Sequence, residues 1–412
     1  AEDGGGRAGA AQRGGGGVMK TMPRLQFMSW RDRAIGAALL GVATLAPAAA
    51  FKATLLVPAG DERLDRTRVE RAYFGHPTGP ASDGVQVALK EARLELESAG
   101  ASLAVETVEV GSAAEARAAA QKAEKGGAVA LLADLPADWL LAGADAVRLP
   151  VLNLGATEDR LRQQDCRARL LHVIPSERMR ADALAQALVS RKWSSVLLLT
   201  GPSAQDAQRA AAAQAAIRRY GLKLAGPRPF KLSGDPRERD LANPLLLTQG
   251  SHEVVWVVDS DGEFARMLPY RTATPRPVVG DAGLTALAWH AQYDRFGAPQ
   301  VSRRFAKGAQ RPMSAADWSA WMGGKALAAA VVAAPKGPAA AVHKALLDAE
   351  LDGSKGVAMS FRPWDGQLRQ TMLLTDGQGV IGTAPVDGVL HPKNSLDTLG
   401  VDAPEKLCKV AR

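Results

Sequence analysis

Residues 149–176 read LPVLNLGATEDRLRQQDCRARLLHVIPS, and the order of features in this stretch decides the fold. Val151-Leu152-Asn153-Leu154 is a short, mainly apolar run entered from Pro150 and left through Gly155. The absence of alternation marks a strand covered on both faces, as in a parallel sheet. A polar loop follows, Ala156-Thr157-Glu158-Asp159-Arg160, then a cysteine and a second apolar run ending at Pro175-Ser176. A new βα series begins there. The stretch reads as the last strand of one lobe, its ligand-facing loop, and the crossing into a second lobe.

Upstream, Lys52–Val57 is an apolar strand running into Pro58-Ala59-Gly60. Residues 84–98 have helical spacing and stop at Gly100, where a left-handed residue is easiest for glycine. Strands at 103–110 and 129–132 enclose an Ala-rich helix opened by the capping-box pattern Ser112-x-x-Glu115. Downstream the plan repeats. Strand 195–199 meets a helix opened by Ser203-x-x-Asp206, and strand 254–258 enters the loop Asp259-Ser260-Asp261-Gly262. Strand 278–279 enters Gly280-Asp281, and a Trp-bearing helix spans 314–334. Alternation at this spacing predicts two doubly wound α/β lobes. The expected division is a leader over 1–50, a first lobe over 51–165 and a second over 166–300, with 301–412 completing both lobes and the hinge.

The 412 residues exceed one ordinary core, and 47% apolar with 23% charged content is that of a soluble globular chain. Formal charge is +8, of which residues 1–50 carry +3. The remainder is diffuse, without the clustered Lys/Arg of a nucleic-acid footprint. Residues 1–18 are Gly/Ala/Arg low-complexity. Arg24, Arg31 and Arg33 then precede the apolar run Ala34–Ala46 and the small residues Ala48-Ala49-Ala50. That order predicts a cleaved secretory signal and a periplasmic mature chain from Phe51. The run is shorter than the ~20 residues of a membrane span. An even cysteine pair in an oxidising compartment, Cys166 and Cys408, predicts one disulfide.

Catalytic signatures fail one by one. Gly201-Pro202-Ser203-Ala204-Gln205 begins like a nucleophile elbow but ends in Gln205 where glycine is required. Asp259-Ser260-Asp261-Gly262 begins like a calcium loop, but Tyr270 occupies the closing Glu position. No phosphate loop, zinc-helix motif or dinucleotide fingerprint is present. The six histidines are scattered, and no metal set or enzyme is expected. A binding geometry remains, since ligands of open α/β sheets sit beyond the carboxyl ends of the strands. Facing loops are expected at 60–66, 134–139 and 155–160 in the first lobe. Their counterparts in the second are 200–205, 259–266 and 281–290.

The runs NLGATEDRLR, HVIPSERMRADALAQAL, VLLLTG and RRYGLK resemble the type I periplasmic solute-binding proteins of the branched-chain amino acid ABC-transporter class. The similarity extends over residues 51–412. RAYFGHPTG (71–79), DCRARLLHVIPS (165–176), LPY (268–270), AWH (288–290), FRPWDGQLRQ (361–370) and LDTLG (396–400) resemble the branch associated with PQQ-dependent alcohol dehydrogenases. The resemblance implies a two-lobe, periplasmic-binding-protein-like type I fold hinged about a ligand cleft. It also implies pyrroloquinoline quinone (PQQ) as ligand, with an inner-membrane ABC permease or periplasmic PQQ-dependent dehydrogenases as partners.

Two site chemistries can be set against it. An amino acid needs a carboxylate for its ammonium and donors for its carboxylate, for which Asp134, Thr157 and Glu158 serve. PQQ is a flat tricarboxylate and needs cations and aromatic planes. Arg63, Arg160 and Arg266 are on expected cleft loops with Trp139, Ser203, Trp289 and His290. Trp318, Trp321 and Lys325 share one helix face at i, i+3 and i+7. Taken singly, each is commonly a packing or surface residue. As a set, Arg and Trp suit an aromatic polyanion better than leucine. The alternatives are an amino acid or other small carboxylate, and a non-transport scaffold of a quinoprotein dehydrogenase system.

Overall fold

The computed structural model describes residues 49–65 and 78–410. The expected signal segment up to residue 48, Arg66 and most of the 71–79 motif lie outside them. β1 (Ala49–Pro58) begins within the small-residue run expected to carry the cleavage site.

The first sheet is parallel, in the order β2-β1-β3-β4-β5. Its further strands are β2 (Ala101–Val110), β3 (Ala128–Ala133), β4 (Val151–Asn153) and β5 (Leu170–His172). Helices α1 (Ala81–Ser98), α2 (Ala113–Lys125) and α3 (Ala137–Ala144) connect them. Every residue of β4 and β5 is buried, as an apolar strand covered on both faces requires.

The chain then crosses at residues 173–176 into α4 (Glu177–Ser190), whose N-cap Ser176 accepts a hydrogen bond from Met179 N. The second parallel sheet has the order β7-β6-β8-β9. It comprises β6 (Ser195–Thr200), β7 (Lys223–Pro229), β8 (Val254–Val258) and β9 (Val278–Gly280), with α5 (Ala204–Arg219) after β6. Residues 236–242 and 265–270 form 3₁₀ turns, the second interrupted by Pro269, which cannot donate to an α-helical ladder. β10 (Thr285–Leu287) closes this part.

From Ala288 the chain re-enters the first core. α6 (Ala298–Ala309), α7 (Ala315–Ala333) and α8 (Ala339–Asp348) follow, and α7 packs along α1. A Cβ on Gly84 of α1 would stand 2.6 Å from the Asp317 carbonyl oxygen, so glycine permits the close approach of these helices. The small β11–β12 pair (Leu351–Asp352, Ala358–Met359) precedes Gln367, which bridges His172 at the edge of the first sheet. A final crossing delivers β13 (Met372–Thr375) and β14 (Val380–Ala384). With β10 they form an antiparallel sheet whose Ala286, Met372, Leu374 and Ala384 join the second core.

The crossings are joined by side chains. Gln370 Nε2 donates to Val173 O (2.8 Å), and Gln367 Nε2 donates to His172 O and Ile174 O (both 3.1 Å). Buried Lys355 donates to Gln370 Oε1 (3.1 Å) and Thr371 O (3.0 Å) beneath the Trp318 ring. Cys166 and Cys408 form the disulfide, 242 residues apart. Among the described residues, no helix is long and apolar enough to cross a membrane.

Candidate functional site

A cleft of about 960 Å³ opens at the carboxyl ends of β1, β3 and β4. The first lobe supplies the turn after β1, with Asp61 and Arg63, the turn after β3, with Asp134 and Trp139, and the loop 155–160. The second supplies Glu177 from α4, and Gln205, Gln208 and Arg209 from α5.

Local chemistry sets the first wall. Asn153, the last residue of β4, is buried and accepts from Ala156 N (2.9 Å) through Oδ1 while Nδ2 donates to Ala156 O (2.7 Å). That closes the turn and turns Thr157–Arg160 outward. Arg162, fully buried, holds the same loop by donating to Ala156 O (3.0 Å), Glu158 O (3.1 Å) and Ile174 O (2.9 Å). Burial pulls its guanidinium down to about 10, so it keeps its charge at neutral pH.

Among the described residues, every arginine lining the cleft already engages two carboxylates. Arg63 donates to Asp61 and, through Nη1 and Nη2, to Asp134 at 3.0 and 2.9 Å. Arg160 engages Asp165 (2.7 Å) and Asp138. Arg209 engages Glu177 (3.3 Å) and Asp281. Burial alone would lower the Arg63 and Arg209 pKa, but their carboxylates outweigh it and raise both. Burial also pushes Glu177 up, but Arg180 and Arg209 more than offset it and hold the carboxyl below its ordinary range. Among the described residues, Asp61, Glu62, Asp134, Glu158, Asp159 and Glu177 line the cleft against three arginines, so acids outnumber arginines in that part of the lining.

Of the residues expected at the site, Arg63, Asp134, Trp139, Thr157, Glu158 and Arg160 come together. The others do not. Ser203 is the N-cap of α5, its hydroxyl accepting from Asp206 N (2.9 Å). Arg266 is exposed on the 265–270 turn, outside the cleft lining. Trp289 and Trp318 are 0% exposed and stack with ring centroids 6.4 Å apart inside the first core. His290, next to Trp289 in sequence, is buried, its Nδ1 accepting from Gln292 N (3.2 Å). Lys325 donates to Asp352 O (2.6 Å) and caps the Trp321 ring. The physical reason is the return at Ala288, which carries this tryptophan-rich segment into the core rather than along the cleft.

Asp61, Glu177 and Arg209 are cleft residues that the sequence argument missed. Asp61 sat within a recognised loop, and Glu177 within the quoted run HVIPSERMRADALAQAL. Arg209 is one of many polar residues on an Ala-rich helix and carries no local signal. Among the described residues, no group of three or more His, Cys, Asp or Glu is arranged to hold a metal ion.

No protein-family model matches the chain, and no curated protein does. Solved structures do. A periplasmic binding protein from Burkholderia mallei superposes with TM-score 0.62 at 14% identity, over 88% of this chain and 98% of that one. A branched-chain amino acid ABC transporter periplasmic ligand-binding protein from Burkholderia xenovorans gives 0.63 at 14%, over 81% and 95%. An ABC transporter solute-binding protein from Rhodopseudomonas palustris, in complex with benzoate, gives 0.58 at 16%, over 84% and 100%. The fold is therefore that of the type I periplasmic binding proteins.

Proposed function

We propose that this chain is an exported solute-binding protein of the ABC-import type, which captures a small amino acid or carboxylate between its lobes. The observation that carries the reading is the cleft itself. It lies beyond the strand ends of the first sheet and is completed by α4 and α5, across a joint made of chain crossings. A solute touching both walls binds the closed arrangement better than the open one, and that difference drives closure.

Charge selects among solutes. PQQ brings three carboxylates and needs several unengaged cations, whereas among the described residues each cleft arginine already serves two acids. An ammonium group instead meets more carboxylates than arginines among the described lining residues, with Glu158 on the wall and Asp134 and Glu177 shared with Arg63 and Arg209. A single carboxylate needs only one arginine to exchange partners. The amino acid or small-carboxylate reading is thus favoured over PQQ, and the cleft chemistry supports no link to a quinoprotein dehydrogenase. A periplasmic location and delivery to an inner-membrane permease belong to the same proposal.

Calorimetric titration of the mature chain with leucine, benzoate and PQQ tests it. Saturable one-to-one binding of leucine or benzoate, weakened at least tenfold by Asp134→Ala, is the expected result. Binding of PQQ alone would restore the cofactor reading, and silence from all three in folded protein would overturn solute capture of this class.

A further inference from the structure

A half-open pocket of about 310 Å³ is separate from the cleft, and no lining residue is common to the two. Its walls come from both lobes. Tyr293, Phe296 and the 355–357 turn belong to the segment that re-enters the first core. Val386 and Val389 follow β14 of the second, and Thr371 of the last crossing lies between the two walls in sequence.

Tyr293 is buried, and its hydroxyl has no hydrogen-bond partner among the described residues. Burial raises the phenol pKa, so the hydroxyl keeps its proton as a donor. A buried donor left unpaired is rare and unfavourable, and an acceptor brought by a ligand relieves it. Phe296 is exposed at the rim with φ of 52°, a left-handed backbone that bulky side chains seldom adopt. Its ring lies against Gly356, where a Cβ would stand 2.7 Å from the ring atoms, and it tilts toward Tyr293 with centroids 6.4 Å apart. Strain of this kind clusters at ligand clamps, and here it holds an aromatic face at the mouth of a pocket. The amine of Lys355 is already spent on Gln370 Oε1 and Thr371 O beneath Trp318. Exposed Asp387 is the acid among the lining residues.

We infer that this pocket is a second ligand site, for a small uncharged aromatic carboxamide. The ring stacks on Phe296, the carbonyl accepts from the Tyr293 hydroxyl, and the amide N–H donates to Asp387. A few placed polar groups beside an aromatic wall are the usual division of labour in a small-molecule site. A carboxylate of the same shape is discriminated against, because it lacks the N–H and sets like charge against Asp387. The inference stands apart from the solute-capture reading, since the two sites share no residue.

Benzamide titrations followed by ligand-observed NMR test it in wild type, Tyr293→Phe and Val389→Trp. Wild type is expected to bind benzamide saturably. Tyr293→Phe should weaken binding about three- to tenfold, the worth of one hydrogen bond, and Val389→Trp should abolish it by filling the pocket. Circular dichroism establishes that each variant is folded, and because the two lie on different walls either one alone is decisive. Excess leucine or benzoate should leave bound benzamide in place. Absence of saturable binding in folded wild type overturns the site, as does benzamide binding that a folded variant retains in full. Displacement of benzamide by leucine or benzoate also overturns it, placing benzamide in the cleft and supporting solute capture there. If neither leucine nor benzoate binds, solute capture fails while the two variants still decide the second site.

Discussion

A Cβ on Gly155 would collide with the Asp134 carboxylate, which the Arg63 fork holds against the loop. Gly155→Ala must therefore displace either the β4 loop or Asp134. The expected cost is about 1–3 kcal/mol of stability, as for other small overpacking changes, with a matching loss of solute affinity. Paired denaturation and titration would check it, and full affinity in a destabilised variant would show that Asp134 does not touch solute. Asp206 makes a pH prediction. Burial raises its carboxyl pKa, but hydrogen bonds from Ser260 and Ser203 outweigh that and leave it below the unfolded value of 3.8. Its stabilisation is present above the unfolded pKa and is lost as pH falls through the lower folded one. Asp206→Ala, which removes the N3 side of the α5 capping box, should cost about 1 kcal/mol at pH 7. That gap should narrow below about pH 4, as measured by urea unfolding over a pH series.

α7 shows how an element can be read correctly and placed wrongly. Its limits agree with the sequence reading, and a Ser314–Asp317 capping box opens it. The face formed by Trp318, Trp321 and Lys325 suggested a ligand platform, yet Trp318 and Trp321 lie in the core. The missed signal is in the same helix: Met322-Gly323-Gly324 and Ala326-Leu327-Ala328 extend the apolar surface around the cylinder, and a helix apolar on every side is buried. Trp318→Ala is expected to cost about 3–5 kcal/mol and to leave solute affinity of the folded fraction unaltered. A selective loss of binding at unchanged stability would return Trp318 to the site.

At the scale of the molecule, two cores are joined by chain crossings at 173–176, at 287–288 and at 370–372. Gln367 and Gln370 hold the first and last of these side by side. The C-terminal segment adds a covalent link. Leu399 packs in the second core and Glu405 pairs with Arg178 of α4 at 2.6 Å, while Cys408 bonds Cys166, which follows the first-lobe loop. Cys408→Ser is expected to lower stability by about 2–5 kcal/mol, the range for a disulfide closing a long loop. Denaturant unfolding of oxidised wild type against the variant measures it, and equal midpoints would mean that noncovalent contacts alone hold the segment.

Local and periodic features were legible from the residues alone. Unbroken apolar runs such as Val254–Val258 specify covered strands, Ser and Asp at capping spacing mark helix starts, and Gly155 with its polar successors marks a loop at a strand end. Those signals reach the two-lobe fold, the cysteine pair, and the half of the cleft carried on first-lobe loops. Which lobe receives residues 288–371 was set by folding, because re-entry into a core depends on complementary surfaces of α1 and α7 that no single window of sequence contains. The same is true of the cleft's electrostatics. Arginines were legible as cations, but whether they remain available to an anionic solute depends on carboxylates from distant segments, Asp134 against Arg63 and Asp281 against Arg209, which folding alone brings within hydrogen-bonding distance.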